Sequence, residues 1–158
     1  MVNQFKFIRV DSFLDDINRE ECFDTQDMDG VSPNFKIILA SECATDINDC
    51  IDVDGSLKTP YDGSVGVNIL NTEGVDDGYC SILWGSGVNG ERTMSISDST
   101  VTYDLGEKPV DIKGLFLVAL GQATGYVIAY CILDKTIRED GTLILPVDGM
   151  IWSIRYGY

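Results

Sequence analysis

A run of twenty residues without a charge, GLFLVALGQATGYVIAYCIL from Gly114 to Leu133, constrains this chain more than any other feature. Its length is what a helix needs to cross the hydrocarbon layer, and Gly121 and Gly125 have the spacing that lets membrane helices approach closely. The residue types oppose a helix. Val, Ile, Phe and Tyr are strand formers, and each of Gly114, Gly121 and Gly125 costs a helix about 1 kcal/mol relative to alanine. Two strands, Leu115–Leu120 and Tyr126–Leu133, joined through Gly121–Gly125, are therefore expected in place of a membrane span. Their apolarity is nearly continuous rather than alternating, which requires cover on both faces. Another sheet, a helix or a partner subunit could supply the second cover.

The segments around this run carry a period of two. Val65, Val67 and Ile69 alternate with small or polar residues, as do Met94 and Ile96, then Val101, Tyr103 and Leu105, and finally Met150, Trp152, Ile154 and Tyr156. Gly, Asn, Asp or Pro closes each run, as at Asn71–Gly74, Asn89–Gly90 and Gly106–Pro109. Further upstream, Phe5–Val10 and Phe35–Ala40 read as strands. Asp11 and Ser12 offer an N-cap to one short helix over Ser12–Cys22, with Phe13, Leu14 and Ile17 on one face. The expected fold is mainly β, an antiparallel β-sandwich of jelly-roll-like or Ig-like type with one short N-terminal helix. The 158 residues suit a single domain, 1–158, with residues 1–62 an acidic, turn-rich part and 63–158 the main β-sandwich.

Charge narrows the partners. Eleven Lys and Arg stand against 26 Asp and Glu, a formal charge of −15. Such a surface repels phosphate backbones and anionic headgroups, so neither nucleic acid nor a membrane is an expected partner. Residues 1–80 hold most of the excess acid. The five cysteines, Cys22, Cys43, Cys50, Cys80 and Cys131, are odd in number and irregularly spaced, which favours free thiols in a reducing compartment over a disulfide framework. The opening Met1–Cys22 has no apolar run of the kind a secretory signal carries.

Candidate sites are few. Asp27-Met28-Asp29-Gly30 and Asp52-Val53-Asp54-Gly55 resemble the start of a calcium loop, in which alternate oxygens converge before a glycine turn. Asp27, Asp29, Asp52 and Asp54 are thus candidate ligands for a divalent cation such as calcium. Both copies lack the acids that an EF-hand has at positions one and twelve, and plain solvated Asp-Gly turns account for the same pattern. No other cofactor is expected. Gly85-Ser86-Gly87 lacks the lysine of a phosphate loop and the spacing of a hydrolase elbow, and reads as a flexible hairpin loop. The chain has no histidine, so no Ser or Cys has the usual imidazole base. The acids lie in turns and none stands out as buried among apolar residues, and an enzyme is not expected. Trp84, Trp152, Tyr61, Tyr79, Tyr103 and Tyr126 could form a sugar-stacking surface, though aromatics on alternating strands more often fill a core.

The C-terminal stretches VTYDLGEKPVDIKGLFLV, TGYVIAYCIL and DGTLILPVDGMIWSI resemble small structural proteins of tailed-bacteriophage virions. The matching positions are Ile112–Val118, Gly125–Tyr130, Gly141–Val147 and Ile151–Ile154. The resemblance implies a β-sandwich or jelly-roll-like virion component without catalytic residues. It looks most like an auxiliary (decoration) protein bound to the capsid shell, of crAss-like phage type. Other virion proteins, above all the major capsid protein, would be its partners, with homo-oligomerisation a further expectation. The virion, assembled in the host cytoplasm, would be its location. A phage neck or tail component, or a cation-dependent carbohydrate- or receptor-binding β-sandwich module, are the alternative readings.

Overall fold

The computed structural model describes residues 6–7, 35–72, 77–80, 82–86, 91–96, 100–119, 126–147 and 151–155. Among the described residues eleven strands follow one another, and the only helical turn is a 3-10 turn at Ile47–Asp49. The helix expected over Ser12–Cys22 lies outside the described residues.

The described parts of the apolar run, 114–119 and 126–133, form strands, as their β-branched and aromatic residues favour, while the expected joint at Gly121–Gly125 lies outside the described residues. β8, Val110–Ala119, pairs antiparallel with β9, Tyr126–Glu139. No helix among the described residues is long and apolar enough to cross a membrane. On its other edge β8 pairs with β2, Phe35–Cys43, from Phe35 opposite Ala119 to Ala40 opposite Gly114. β1, Lys6–Phe7, closes on β9, while β3, Val67–Ile69, and β4, Tyr79–Cys80, share the far edge of β2. The result is a six-stranded antiparallel sheet. β2, an interior strand of this sheet beside the central β8, comes from the acidic first part of the chain.

Both faces of this sheet are covered from within the chain. Phe35, Ile37, Leu39, Leu115, Leu117, Ala129 and Cys131 lie on one face, and all are buried. On the other face Ala40, Phe116, Val118 and Val127 are buried beneath the segment that follows β2, which contributes Cys50 to the same cluster and lays Ile47, Ile51 and Leu57 against it. A fully buried Leu, Ile or Phe contributes roughly 1.5–3 kcal/mol, so these paired faces hold much of the stability.

Two smaller sheets complete the described fold. β5, Ile82–Ser86, pairs with β6, Glu91–Ile96, which pairs with β11, Ile151–Arg155. β7, Thr100–Asp104, pairs with β10, Thr142–Pro146. Gly85 and Ser86 belong to β5, opposite Thr93 and Arg92, and so are not part of a flexible loop. Ladder hydrogen bonds use the backbone alone, and the strand therefore runs into a segment whose side chains would not hold it.

Register ties the C-terminal strands into one object. Glu91 faces Arg155, Thr100 faces Pro146 and Leu117 faces Ala129, and in all three pairs the partners lie equally far along the chain from Ala123. The described strands between 91 and 155 thus keep the register of one antiparallel ribbon, with β6, β7 and β8 on one side and β9, β10 and β11 on the other. Besides a one-residue shift between Leu117 and Val118, its register breaks at two places that compensate each other. Leu105–Pro109 face only Asp140 and Gly141, whereas Leu133–Thr136 face Lys113 alone, and the two offsets cancel. Lys113 fills the second irregularity by donating its ammonium to the Leu133 carbonyl at 2.6 Å. At the first, the amide of Leu105 donates to Gly141 O and the amide of Gly141 to Gly106 O, both at 2.8 Å, which pins the corner.

Candidate functional site

Three side-chain groups in the described residues have enough chemistry to be weighed as sites. The first is the acidic lobe between β2 and β3. Asp46 caps the 3-10 turn by accepting from the Asn48 amide at 2.9 Å. Asp54 accepts from the Ser56 amide and hydroxyl at 3.0 and 2.6 Å. Asp62 accepts from the amides of Ser64 and Val65 and from the Ser64 hydroxyl. An aspartate two residues before a serine thus ties its own turn twice over, an Asx-turn arrangement. Hydrogen bonds from Ser56 hold the Asp54 carboxyl below the usual aspartate range, and those from Val65 and Ser64 do the same for Asp62.

Of the four candidate cation ligands, Asp52 and Asp54 share one tight turn, while Asp27 and Asp29 lie outside the described residues. The turn is a short hairpin. Ile51 bridges Leu57, Asp52 N donates to Ser56 O, and Gly55 N donates to Asp52 O. Gly55 O in turn accepts from the Val127 amide of β9 at 2.9 Å. The Asp-Val-Asp-Gly stretch therefore staples the lobe across the sheet, with one oxygen of Asp54 engaged by Ser56. Among the described residues no group of three or more Cys, Asp or Glu is placed to hold a metal ion.

The second group is a buried pair of thiols beneath the same lobe. Cys43 ends β2, Cys50 follows the 3-10 turn, and both belong to the core cluster. The Cys50 sulfur lies 3.4 Å from Ala44 O and 3.5 Å from Asp46 O, and its S–H also hydrogen-bonds to Cys43. That bond lowers the Cys43 pKa; burial opposes it and the Lys113 ammonium supports it. Cys50 is pushed up by donating to Cys43 and by burial. Cys43, Cys50, Cys80 and Cys131 are thiols rather than disulfides. The spacing between Cys43 and Cys50 is too wide for a zinc knuckle, and the intervening Ala44–Asp49 carries no periodicity, so nothing in the sequence signals that this segment curls back on itself.

The third group surrounds Asp77, an acid that sequence context does not single out. It is only 7% exposed, and its Oδ2 finds no hydrogen-bond donor. Tyr103 has both Asp77 and Cys80 as titratable neighbours. Burial pushes the Tyr103 phenol well above its ordinary range, with the charges of Cys80 and Asp77 adding to the effect. The phenol proton is already committed, because Tyr103 donates to Ile37 O at 2.5 Å. Carboxyl and phenol are therefore not arranged to pass a proton to a substrate, and the group reads as a buried brace between β7 and β2.

The aromatic residues divide in the same way. Tyr103 is core, the half-buried Tyr79 lies beneath the Lys36 ammonium at 5.0 Å, and Tyr61 donates to Gly63 O. The side chains of Trp84, Tyr126 and Trp152 lie outside those described. Comparison with family models, curated proteins and solved structures returns no match.

Proposed function

We propose that this chain is a non-enzymatic structural protein of a tailed-phage virion, an auxiliary or decoration protein on the capsid shell with the major capsid protein as its partner. The fold proposed with it is a jelly-roll-like sandwich. The observation that carries the reading is the ribbon register of the strands between 91 and 155. The four stretches that resemble phage virion proteins fall on β8, β9, β10 and β11, strands whose pairings share one register rather than being scattered likenesses. Rolling a long antiparallel ribbon onto itself is also a direct way to make a double-sheet jelly roll.

The ribbon has surface to offer a neighbour. β10 pairs only with β7 among the described strands, and it carries Ile144 at 59% exposure, with Ile137 exposed on β9. An open edge of this kind can add a strand from another chain, while the acidic surface keeps the free protein in solution. Purified virions of the encoding phage, analysed by quantitative mass spectrometry, should contain the chain at a fixed ratio to the major capsid protein. Its absence from purified particles would overturn the reading.

A further inference from the structure

We propose that Cys43 and Cys50 are a redox pair that closes into an intrachain disulfide when a small hydroperoxide oxidises the folded protein. The placement of the two residues makes this specific. Ala44 N donates to Gly66 O and Gly66 N donates to Asp49 O, so one glycine draws together the residue after Cys43 and the residue before Cys50. The Cys50 sulfur sits inside the turn that follows Cys43, within 3.4 Å of Ala44 O. On the far side, Gly114 leaves room for the Cys43 sulfur, since a Cβ there would stand 3.0 Å from it. The Cys43 sulfur thus packs against Gly114 and has the Cys50 thiol as its neighbour.

Chemistry favours Cys43 as the first to react. The S–H of Cys50 and the ammonium of Lys113 both stabilise negative charge on it, and a thiolate is the nucleophile in thiol oxidation. Cys43 attacks the O–O bond of hydrogen peroxide and takes one oxygen as a sulfenic acid; the other leaves as water with the thiol proton. The Cys50 sulfur then attacks the Cys43 sulfur, the S–O bond breaks, and a second water leaves with the Cys50 proton. Two thiols have lost two electrons to form one disulfide, and the peroxide has been reduced to two waters. Both cysteines are buried, the Thr45–Asp49 turn between them is exposed except for the half-buried Ile47, and local opening of that turn admits the oxidant.

The test uses the full chain in its native state. Lys36 and Lys58 bracket both cysteines in a single tryptic peptide, residues 37–58. After peroxide treatment, quenching, denaturation and alkylation, this peptide should lose both alkyl labels and run two hydrogens lighter than its unlabelled form, and dithiothreitol should restore both labels. Cys22, Cys80 and Cys131 should stay alkylated at doses that close the pair. In Cys50→Ala, where the second step is blocked, a dimedone adduct should accumulate on Cys43. A wild-type peptide that keeps both labels while other cysteines oxidise would overturn the proposal. So would one that carries a sulfinic acid on Cys43 without a disulfide.

Discussion

At the residue scale, Gly78 and Tyr103 close a gap in the edge of β2. Ile37 lies between the stretches of β2 paired to β4 and β3; its amide donates to Gly78 O at 2.8 Å and its carbonyl accepts the Tyr103 hydroxyl. Gly78 sits at φ 76, and a Cβ on it would stand 2.5 Å from Ile37 O and 2.7 Å from the Tyr103 ring, so only glycine fits there. Tyr103→Phe keeps the ring but leaves a buried carbonyl short of its donor. It should lower the free energy of unfolding by about 1–3 kcal/mol in urea titrations, with an unchanged slope. The exposed aspartates make a prediction about acid. Asp54 and Asp62 have lowered pKa values, so their contribution is complete above the ordinary aspartate value near 3.8 and is lost as pH falls through the lowered folded values. Hydrogen exchange at the Ser56, Ser64 and Val65 amides, corrected for the intrinsic pH dependence, should keep constant protection from neutral pH to about pH 4 and lose it below. The Asp54-Gly55 turn was legible in the sequence because its chemistry is local. Asp77 was not, because its burial depends on β7 arriving from elsewhere.

At the element scale, the strands that sequence patterning places are found where residue type and period agree: β2, β3, β6, β7, the β8–β9 pair and β11. β9 runs past Leu133 to Glu139 through charged and polar residues, because pairing with Val110–Ile112 extends it beyond its apolar core. The cover on the second face of β8 and β9 was the question that apolarity alone left open. The answer is the lobe after β2, whose Ile47, Ile51 and Leu57 are scattered among aspartates and so carry no period that a sequence reading could detect. Gly114 shows the same distinction. It lies in mid-strand rather than in a turn, and what fixes it is contact, since a Cβ there would stand 3.0 Å from the Cys43 sulfur and 3.1 Å from the Phe116 ring. Gly114→Ala should therefore destabilise the protein by about 1–3 kcal/mol through overpacking between β8 and β2, measured by thermal or urea unfolding.

At the scale of the whole molecule, the ribbon from Glu91 to Arg155 organises the C-terminal half and, through β8, joins it to β2 of the acidic half. Its common register was hidden in the sequence because the register offsets at 105–109 and 133–136 cancel only when both sides of the ribbon are seen together. The sheet's two faces are buried by the chain itself, which leaves sheet edges and exposed side chains such as Ile144 for association. A decoration protein must use such surfaces at many equivalent positions on a shell. Cryo-electron microscopy of the encoding phage's particles tests this most directly. A decoration protein should give density for this fold repeated over the capsid lattice, with ribbon edges or acidic loops against the major capsid protein. Density confined to the neck or tail, or no density for the chain in the particle, would contradict that role.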